Sequence, residues 1–347
     1  MAPSPHEEEL SATDAEFQEL LRRFEITAEY GFLLAHPLTR LPEEFEPWHK
    51  LCDELPNLIE ESPGSVRALI QDLPVLSVSA LSTHKEQRLA HLILSTLTSA
   101  FLWADHPNPP PSLLPRCIAL PFVEIEYEFA PALAAIVRAC ADQRKMGYVD
   151  EAVLDRSLTE IKESLKTMAA TFKRMRDHLT PSEFYTQLRP YLWGYSQVEG
   201  GVTFEGLEHL GPLHYTGATA GQSSTAQAVD AFLGIRHTGT DGAFLLDQRQ
   251  FMPGGHRDLL EWVENTIHVG DRSLVPQLQS RPLFAEVVQA LKLFRSAHIN
   301  TVALFILTQI KKDENGEVNE KSAAGTGGTP FMQFLKAVRE DCDKVLQ

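Results

Sequence analysis

The chain has 347 residues, with 31 Lys and Arg against 47 Asp and Glu, so its formal net charge is −16. Its 43% apolar and 22% charged residues are an ordinary globular composition, which excludes the disordered, collagen-like and disulfide-scaffold classes. Nucleic-acid affinity is supplied mainly by Lys and Arg that neutralise phosphates, so the acidic balance also argues against a nucleic-acid partner.

The cysteines and the N-terminus indicate a reducing compartment. Cys52, Cys117, Cys140 and Cys342 contain no Cys-x-x-Cys pair, so neither a thiolate metal site nor a redox motif is predicted. Residues 1–10 carry three consecutive glutamates and no apolar core, which is not typical of a secretory signal or a transit peptide. No apolar run approaches the ~18 residues needed to span a bilayer. We therefore expect a cytoplasmic protein with no membrane partner.

The first periodic segment follows Ser11. Ser11 and, three residues later, Asp14 form a candidate capping box, which predicts that a helix begins here. The apolar face of this helix repeats at i, i+3, i+4 and i+7, and it consists of Phe17, Leu20, Leu21 and Phe24.

A proline-rich stretch then interrupts the helical pattern. Residues 106–115 contain five prolines and cannot continue a helix. We therefore predict a small N-terminal helical domain over residues 1–120, which ends in a Pro-rich linker, and a large helical domain over residues 121–347.

The strongest periodic signal is central. Between Leu154 and Leu179, eight apolar residues alternate spacings of four and three, which predicts a long amphipathic helix. A single stripe of this length is more often a core face than a coiled-coil seam, so we expect a monomer. Thr180–Glu183 then combines a Thr cap, a proline at the first helical position and a glutamate three residues after the cap, which predicts a new helix.

Later segments are also helical in pattern. Ser224 with Gln227 predicts a capped helix through Phe232, the segment Leu283–Ile310 predicts a long helix, and Thr329–Pro330 predicts the start of the last helix. Residues 311–329 are polar and predict a loop. Since no segment alternates with period two, the predicted class is all-α.

His298 is the most informative single residue, because it lies on the apolar face of the helix Leu283–Ile310. A lone core histidine is more often hydrogen-bonded to a neighbour than bound to a metal. The absence of a second histidine or paired carboxylates at ligand spacing disfavours a zinc or di-iron site. One imidazole in an apolar helical pocket is also typical of a proximal haem ligand. Arg295 would then pair with a haem propionate or, in the simpler alternative, form an ordinary salt bridge.

Three further patterns suggest a ligand pocket. Tyr185 and Arg189 are four residues apart on one predicted helix, which could bring an aromatic ring and a guanidinium to a ligand with a ring and a carboxylate. The commoner alternative is an exposed arginine stacked on a surface aromatic. The small residues of 216–224 indicate either close backbone packing or approach to a flat cofactor. Residues 325–329 could hold an anion at a helix start, although this signal is weak.

Short segments spread along the chain form a further pattern, because they match a known family in order. They are Tyr30 to Leu33, Pro37 to Trp48, Leu55 to Leu58, Phe184 to Gly194, Gly221 to Ser224 with Asp230, Leu233 to Ile235, Met252 to Arg257, Arg295 to His298, and Gly325 to Thr329. Over most of its length the chain therefore resembles the indoleamine 2,3-dioxygenase family. The resemblance implies a helical protein that uses ferrous haem b to insert dioxygen across the indole C2–C3 bond of tryptophan, giving N-formylkynurenine in the kynurenine pathway.

The resemblance also implies roles for particular residues. His298 would be the proximal ligand of the haem iron, with Asp230 and Arg295 near the propionate and proximal side. On the distal side, Arg189 would bind the substrate carboxylate. The remaining implied contacts are aromatic contact to the indole from Phe184 and Tyr185, packing against haem and substrate from Thr219, Ala220 and Gly221, and closure of a substrate loop by Thr326. The implied partners are tryptophan or a related indole, dioxygen and an electron donor that keeps the iron ferrous.

The chain departs from the family pattern at two places. Tyr185 stands where members usually have a second phenylalanine. More importantly, Leu114 to Pro121 resembles the end of one family segment, while Val123 to Ile136 resembles the start of a helix that normally lies well downstream. The stretch between them, which supplies distal helices in the family, is absent near residue 121. Two alternatives to the dioxygenase therefore stay open: a haem-binding relative with an incomplete distal pocket, and an acidic helical interaction protein without haem.

Overall fold

The structure is a computed structural model. It describes residues 5–103, 122–177, 179–195, 198–268, 273–310, 325–326 and 330–346. These residues form helices joined by turns. The β interactions among them are two isolated bridges, Thr27 with Gly31 and Val202 with Leu213. The predicted all-α class is therefore confirmed.

The helices of the described residues follow one another in chain order. They are α1 (Pro5–Arg23), α2 (Glu46–Glu61), α3 (Val66–Gln71), α4 (His84–Trp103), α5 (residues 122–128), α6 (Ala130–Met146), α7 (Glu151–Arg174), α8 (Pro181–Glu183), α9 (Ser224–Leu233), α10 (Gly239–Gln248), α11 (Gly254–Ile267), α12 (Val275–Gln279), α13 (Pro282–Phe305) and α14 (Phe331–Glu340). A π-helical turn, Phe184–Leu188, and a 3-10 turn, Arg189–Leu192, follow α8. Other 3-10 turns include Met175–Asp177, Ala220–Gln222, Leu307–Gln309 and Asp341–Leu346.

Helix α1 begins earlier than the sequence pattern predicted. It starts at Pro5, so Ser11 lies inside the helix and the predicted capping box at Ser11 is wrong. Proline is well suited to the first helical position. The predicted apolar face is correct, because Phe17, Leu21 and Phe24 are buried.

The buried apolar side chains form one main core and two smaller clusters. The smaller clusters join α2, α3 and α4, with Phe45 and Val66 fully buried. The apolar face of α1 instead packs into the main core with α6, α7, α9, α11 and α13. Residues 106–115 and the boundary at residue 120 lie outside the described residues. The division into two domains stays a prediction.

The predicted central helix is confirmed as α7, which is extended by the 3-10 turn Met175–Asp177. Asp150 caps it by accepting hydrogen bonds from the backbone N–H groups of Ala152 and Val153. The predicted stripe is fully buried along most of its length and packs chiefly against α13 and α6. The stripe is therefore a core face of this chain.

The capping box predicted at Thr180 is also present. The Thr180 hydroxyl accepts from the Glu183 N–H, and the Glu183 carboxylate accepts from the Thr180 N–H. The helix that it starts is short in α geometry, because a π-helical turn begins at Phe184. A π turn is frequently found at functional sites, and it changes which side chains share a face.

The later helices lie close to their predicted positions. Helix α9 begins at Ser224 and its cap is Ser223, one residue before the predicted cap. Helix α13 ends at Phe305 and is followed by a 3-10 turn, so the predicted helix is five residues too long. Helix α14 begins at Phe331 with Pro330 as its cap, one residue after the predicted start, while Thr329 lies outside the described residues.

Among the described residues, the segment Pro282–Gln309 is long and apolar enough to cross a membrane by length and composition. Most of this segment is α13, which packs against α7 and α14. Its residues Val287, Val288 and Leu291 are fully buried in the main core. These contacts are those of a core helix.

Candidate cofactor and substrate cavity

A cavity of about 470 Å³ opens beside α13. Its walls come from α5, the end of α7, the turns at 184–192, the loop at 218–226, α13, residues 325–326 and α14. The lining is mostly apolar, with hydroxyl and amide groups at the loop. The aromatic lining residues are Phe122, Phe172, Phe184, Phe294, Phe305, Phe331 and Phe334.

His298 lines this cavity and is half-buried. Its ring stacks on Phe172, with ring centroids 5.2 Å apart and planes inclined by 12°. Burial, together with the charge of Arg295, lowers the pKa of His298 to about 4. The imidazole is therefore neutral near pH 7, which is the form that binds a metal through a ring nitrogen.

Arg295 and Asp230 are not among the residues that line the cavity. Both are buried, and Arg295 Nη2 lies 2.6 Å from Asp230 Oδ2. His237 bridges Asp230, at 3.1 Å, and Asp341, at 2.7 Å. Burial lowers the pKa of His237, but the hydrogen bonds and negative charges of the two aspartates outweigh it and raise the pKa above its usual value. This network links α9, α13 and the C-terminal 3-10 turn, and a direct contact of Arg295 or Asp230 with a cofactor stays a prediction.

Arg189 and Phe184 line the cavity as the resemblance implied, and Tyr185 does not. Arg189 is 2% exposed, and its guanidinium carbon lies 5.3 Å from the centre of the Tyr185 ring. Phe184 packs edge-on against Phe305 on α13 at 5.7 Å. The predicted neighbourhood of Tyr185 and Arg189 is present although the turn at 184–188 is π-helical, but only Arg189 of the two lines the cavity. The Tyr185 ring contacts the Arg189 guanidinium from outside the cavity lining.

The predicted loop residues Thr219, Ala220 and Gly221 all line the cavity. The Thr219 hydroxyl accepts from the Gly221 N–H at 3.3 Å, and the Gln222 side chain donates to Gly217 O at 3.1 Å. The loop is therefore held by its own hydrogen bonds.

Thr326 also lines the cavity and is bound to the same loop. Its backbone oxygen accepts from the Gly217 N–H at 3.0 Å, and its hydroxyl donates to Ala218 O. A Cβ at Gly217 would lie 2.1 Å from Leu192 O, so only glycine permits this approach. Two segments more than 100 residues apart thus meet at the cavity edge.

Glu126 is a lining residue that the sequence reasoning missed. Its carboxyl accepts hydrogen bonds from the hydroxyls of Ser223, at 2.7 Å, and Thr225, at 2.5 Å. The one signal available in the sequence was an acidic residue between apolar and aromatic neighbours, Ile125 and Tyr127. The contact itself joins residues about 100 positions apart.

The residues present fit a haem. A neutral imidazole on a core helix supplies one axial ligand, and the apolar walls suit a porphyrin. No group of three or more His, Cys, Asp or Glu side chains within the described ranges could hold a metal ion directly. The donor set therefore suits an iron already held by a porphyrin, with His298 as its protein ligand.

The fold and the cavity define a class of protein: an all-α chain in which a histidine of a core helix faces a cavity suited to haem. The family model of indoleamine 2,3-dioxygenase matches residues 20–127 and 123–345. The chain belongs to the indoleamine 2,3-dioxygenase family, which confirms the resemblance read from the sequence.

Individual relatives support the same assignment. The chain is 30% identical to indoleamine 2,3-dioxygenase 2 of Homo sapiens, over 94% of this chain and 95% of the relative. It is also 30% identical to indoleamine 2,3-dioxygenase 1 of Mus musculus, over 94% and 96%. A protein named myoglobin from Haliotis madaka is 28% identical over 94% of this chain and 99% of its own length.

The comparisons also agree with an absent internal stretch. The two matched parts overlap at residues 123–127. At this point the resemblance passes from one family segment to a segment that normally lies well downstream. The alignment with the human relative runs over 394 positions although this chain has 347 residues, so at least 47 positions have no residue in this chain.

Proposed function

We propose that this protein is a haem-dependent dioxygenase that converts tryptophan, or a related indole, and dioxygen into N-formylkynurenine or its analogue. The observation that carries the proposal is that His298 and Arg189 line one cavity in a chain of this family. His298 can hold the cofactor, and Arg189 can hold the substrate.

Bound haem would supply the activation of dioxygen, which protein side chains cannot perform by themselves. His298 would hold the iron. Its stacking on Phe172 fixes the ring plane, and its low pKa keeps the ligand nitrogen free of a proton. Arg295 and Asp230, which lie off the cavity, would fix the position of α13 beside it.

Arg189 would bind the carboxylate of the amino acid. A guanidinium that is 2% exposed has lost most of its hydration, so a carboxylate in the cavity gains a strong charge-assisted hydrogen bond. Stacking on Tyr185 holds the guanidinium in place. Phe184 would contact the indole ring and exclude water from it.

Thr326 and the loop Thr219–Gly221 would shape the amino-acid end of the pocket. Their hydrogen bonds to one another order this wall before substrate binds. The proposal includes an electron donor that keeps the iron ferrous, a cytoplasmic location, and no membrane or nucleic-acid partner.

Spectra and product formation test the proposal. We expect the haem-supplemented protein to show a haem absorbance band that His298→Ala loses. We expect Arg189→Ala to retain haem and to lose N-formylkynurenine formation by about 30-fold or more, since removing one partner of a buried charge pair costs roughly 2–5 kcal/mol. Arg176→Ala, a change at an exposed arginine, serves as the control and should keep wild-type activity.

The same measurements separate the alternatives. If the wild type retains haem but forms no product, the protein is a haem-binding relative of low activity. Two observations favour this alternative: the absent stretch near residue 121 and the relative named myoglobin. A wild-type protein that never retains haem would contradict both haem functions. The remaining alternative, an acidic interaction protein, has no support among the relatives.

A further inference from the structure

The carboxyl group of Glu126 lies in the wall of the cavity and has no role in the function proposed above. It is the one acidic side chain among the described residues that line the cavity. The other titratable side chains of that lining are Arg189 and His298.

Neutral hydroxyl groups hold this carboxyl in place. Ser223 Oγ donates to Oε1 at 2.7 Å, and Thr225 Oγ1 donates to Oε2 at 2.5 Å. Ser223 is also the cap of α9, so the contact ties α5 to the start of that helix. Hydroxyl donors stabilise a carboxylate, but they leave its full negative charge in the cavity wall.

The charged groups around Glu126 do not neutralise it. On its own helix, Glu124 pairs with Arg174 at 2.5 Å and Glu128 accepts from the Thr171 hydroxyl at 2.8 Å. The first turn of α9 contributes hydroxyl and amide groups only. Burial raises the pKa of Glu126, while the hydrogen bonds from Thr225 and Ser223 lower it by less. No cationic side chain of the described residues forms an ion pair with it or shifts its pKa.

A partly buried charge in a cavity wall acts on a redox centre in the same cavity, because the surrounding protein screens it less than water does. A negative charge stabilises ferric iron relative to ferrous iron, since reduction removes one positive charge from the centre. The haem iron held by His298 would share the cavity with Glu126, and its potential is set in part by such surrounding charges.

We propose that the Glu126 carboxylate lowers the reduction potential of haem iron bound at His298, and that reduction of this iron is accompanied by proton uptake at Glu126. In the balanced step, ferric haem accepts one electron from a one-electron donor, and the carboxylate takes one proton from solvent. The total charge of the site is then unchanged. The inference rests on the proposed binding of haem, and it holds whether or not the protein turns over tryptophan.

The test is the midpoint potential of the haem-reconstituted full chain, measured by spectroelectrochemistry from pH 5 to pH 8. We expect the wild-type potential to fall as pH rises through the titration of Glu126. Glu126→Gln keeps the shape of the side chain and one acceptor oxygen but removes its negative charge, and it should shift the potential to more positive values at pH 8. The shift should shrink as pH falls through the titration of Glu126, because protonation removes the charge of the wild-type carboxylate.

Glu124→Gln is the matched control, because it removes an acidic group two residues away that is partly exposed and paired with Arg174. Its potential should equal that of the wild type. A Glu126→Gln potential that equals the wild-type value at every pH would overturn the inference, and so would a shift of equal size in Glu124→Gln. Neither of these two results contradicts the proposed dioxygenase function. A wild-type chain that retains no haem would contradict both the dioxygenase function and the role of Glu126.

Thr225→Val provides a second variant that keeps the carboxyl and removes one of its stabilising hydrogen bonds. Because loss of that bond disfavours the carboxylate, we expect the pH-dependent fall in potential to move to higher pH. An unmoved pH profile in Thr225→Val would contradict the assignment of the proton to Glu126, even if Glu126→Gln proved too unstable to measure.

Discussion

Individual histidines in this fold have pKa values shifted in opposite directions, because their neighbours differ. His237 has an aspartate at each ring nitrogen, and these two carboxylates hold its pKa above the usual value. His256 is buried with 4% exposure, packs on Phe32 at 4.7 Å, and its Nδ1 atom lies 3.5 Å from the Ser224 hydroxyl. Burial, and then the charge of Arg88, lower its pKa to about 4. The surroundings thus shift one histidine toward the cationic form and the other toward the neutral form.

His256 predicts a loss of stability in mild acid. Between pH 6.5 and about 4, the unfolded chain binds a proton at this position that the folded chain does not, so the free energy of unfolding falls as pH falls. From pH 7 to pH 5 this residue should contribute a loss of about 2 kcal/mol. Urea unfolding at the two pH values should show that loss in the wild type and a smaller one in His256→Gln.

A surface histidine is the control for this measurement. His209 is exposed, and His209→Gln should keep the wild-type dependence on pH. An equal loss of stability in the wild type and in His256→Gln would contradict the prediction.

At the scale of elements, the pair formed by α7 and α13 supports the cavity. The apolar stripe of α7 is buried against α13, and α13 carries His298 into the cavity wall. The sequence predicted both helices from periodicity alone, because a helix that buries one face must repeat apolar residues every three to four positions. Periodicity could not predict the π turn at Phe184–Leu188, nor that Tyr185 lies outside the cavity lining.

Leu165 tests the contribution of that stripe. It is fully buried in the main core, so Leu165→Ala should leave a cavity and destabilise the fold by about 2–5 kcal/mol. The neighbouring Lys166 is exposed and pairs with Glu163 at 2.9 Å, so Lys166→Ala should cost less than about 1 kcal/mol. Denaturant unfolding measures both changes, and equal losses in the two variants would show that the stripe is not the stabilising face.

At the scale of the whole molecule, the longest apolar stripe, which lies on α7, is buried inside the fold. The net charge of −16 also opposes association of like copies. The comparisons agree with a chain that spans nearly the full length of its relatives and lacks an internal stretch.

We therefore predict a monomer in solution. Light scattering should give a particle mass near 38.8 kDa at low and high protein concentration. A mass near twice this value, kept at high dilution, would contradict the prediction and place an apolar contact on the surface of the fold.

The sequence by itself determined the helical class, the apolar stripe of α7 and the cap at Thr180, and it identified His298 and Arg189 as candidate site residues. Each of these depends on the spacing of nearby residues or on the order of short motifs. Only the tertiary structure decided that Arg295 and Asp230 pair away from the cavity surface and that Glu126 meets Ser223 and Thr225. The physical reason is distance along the chain. Local pattern reports which face of a helix is apolar, whereas the angle at which helices pack decides which polar side chains meet across 65 or 97 residues.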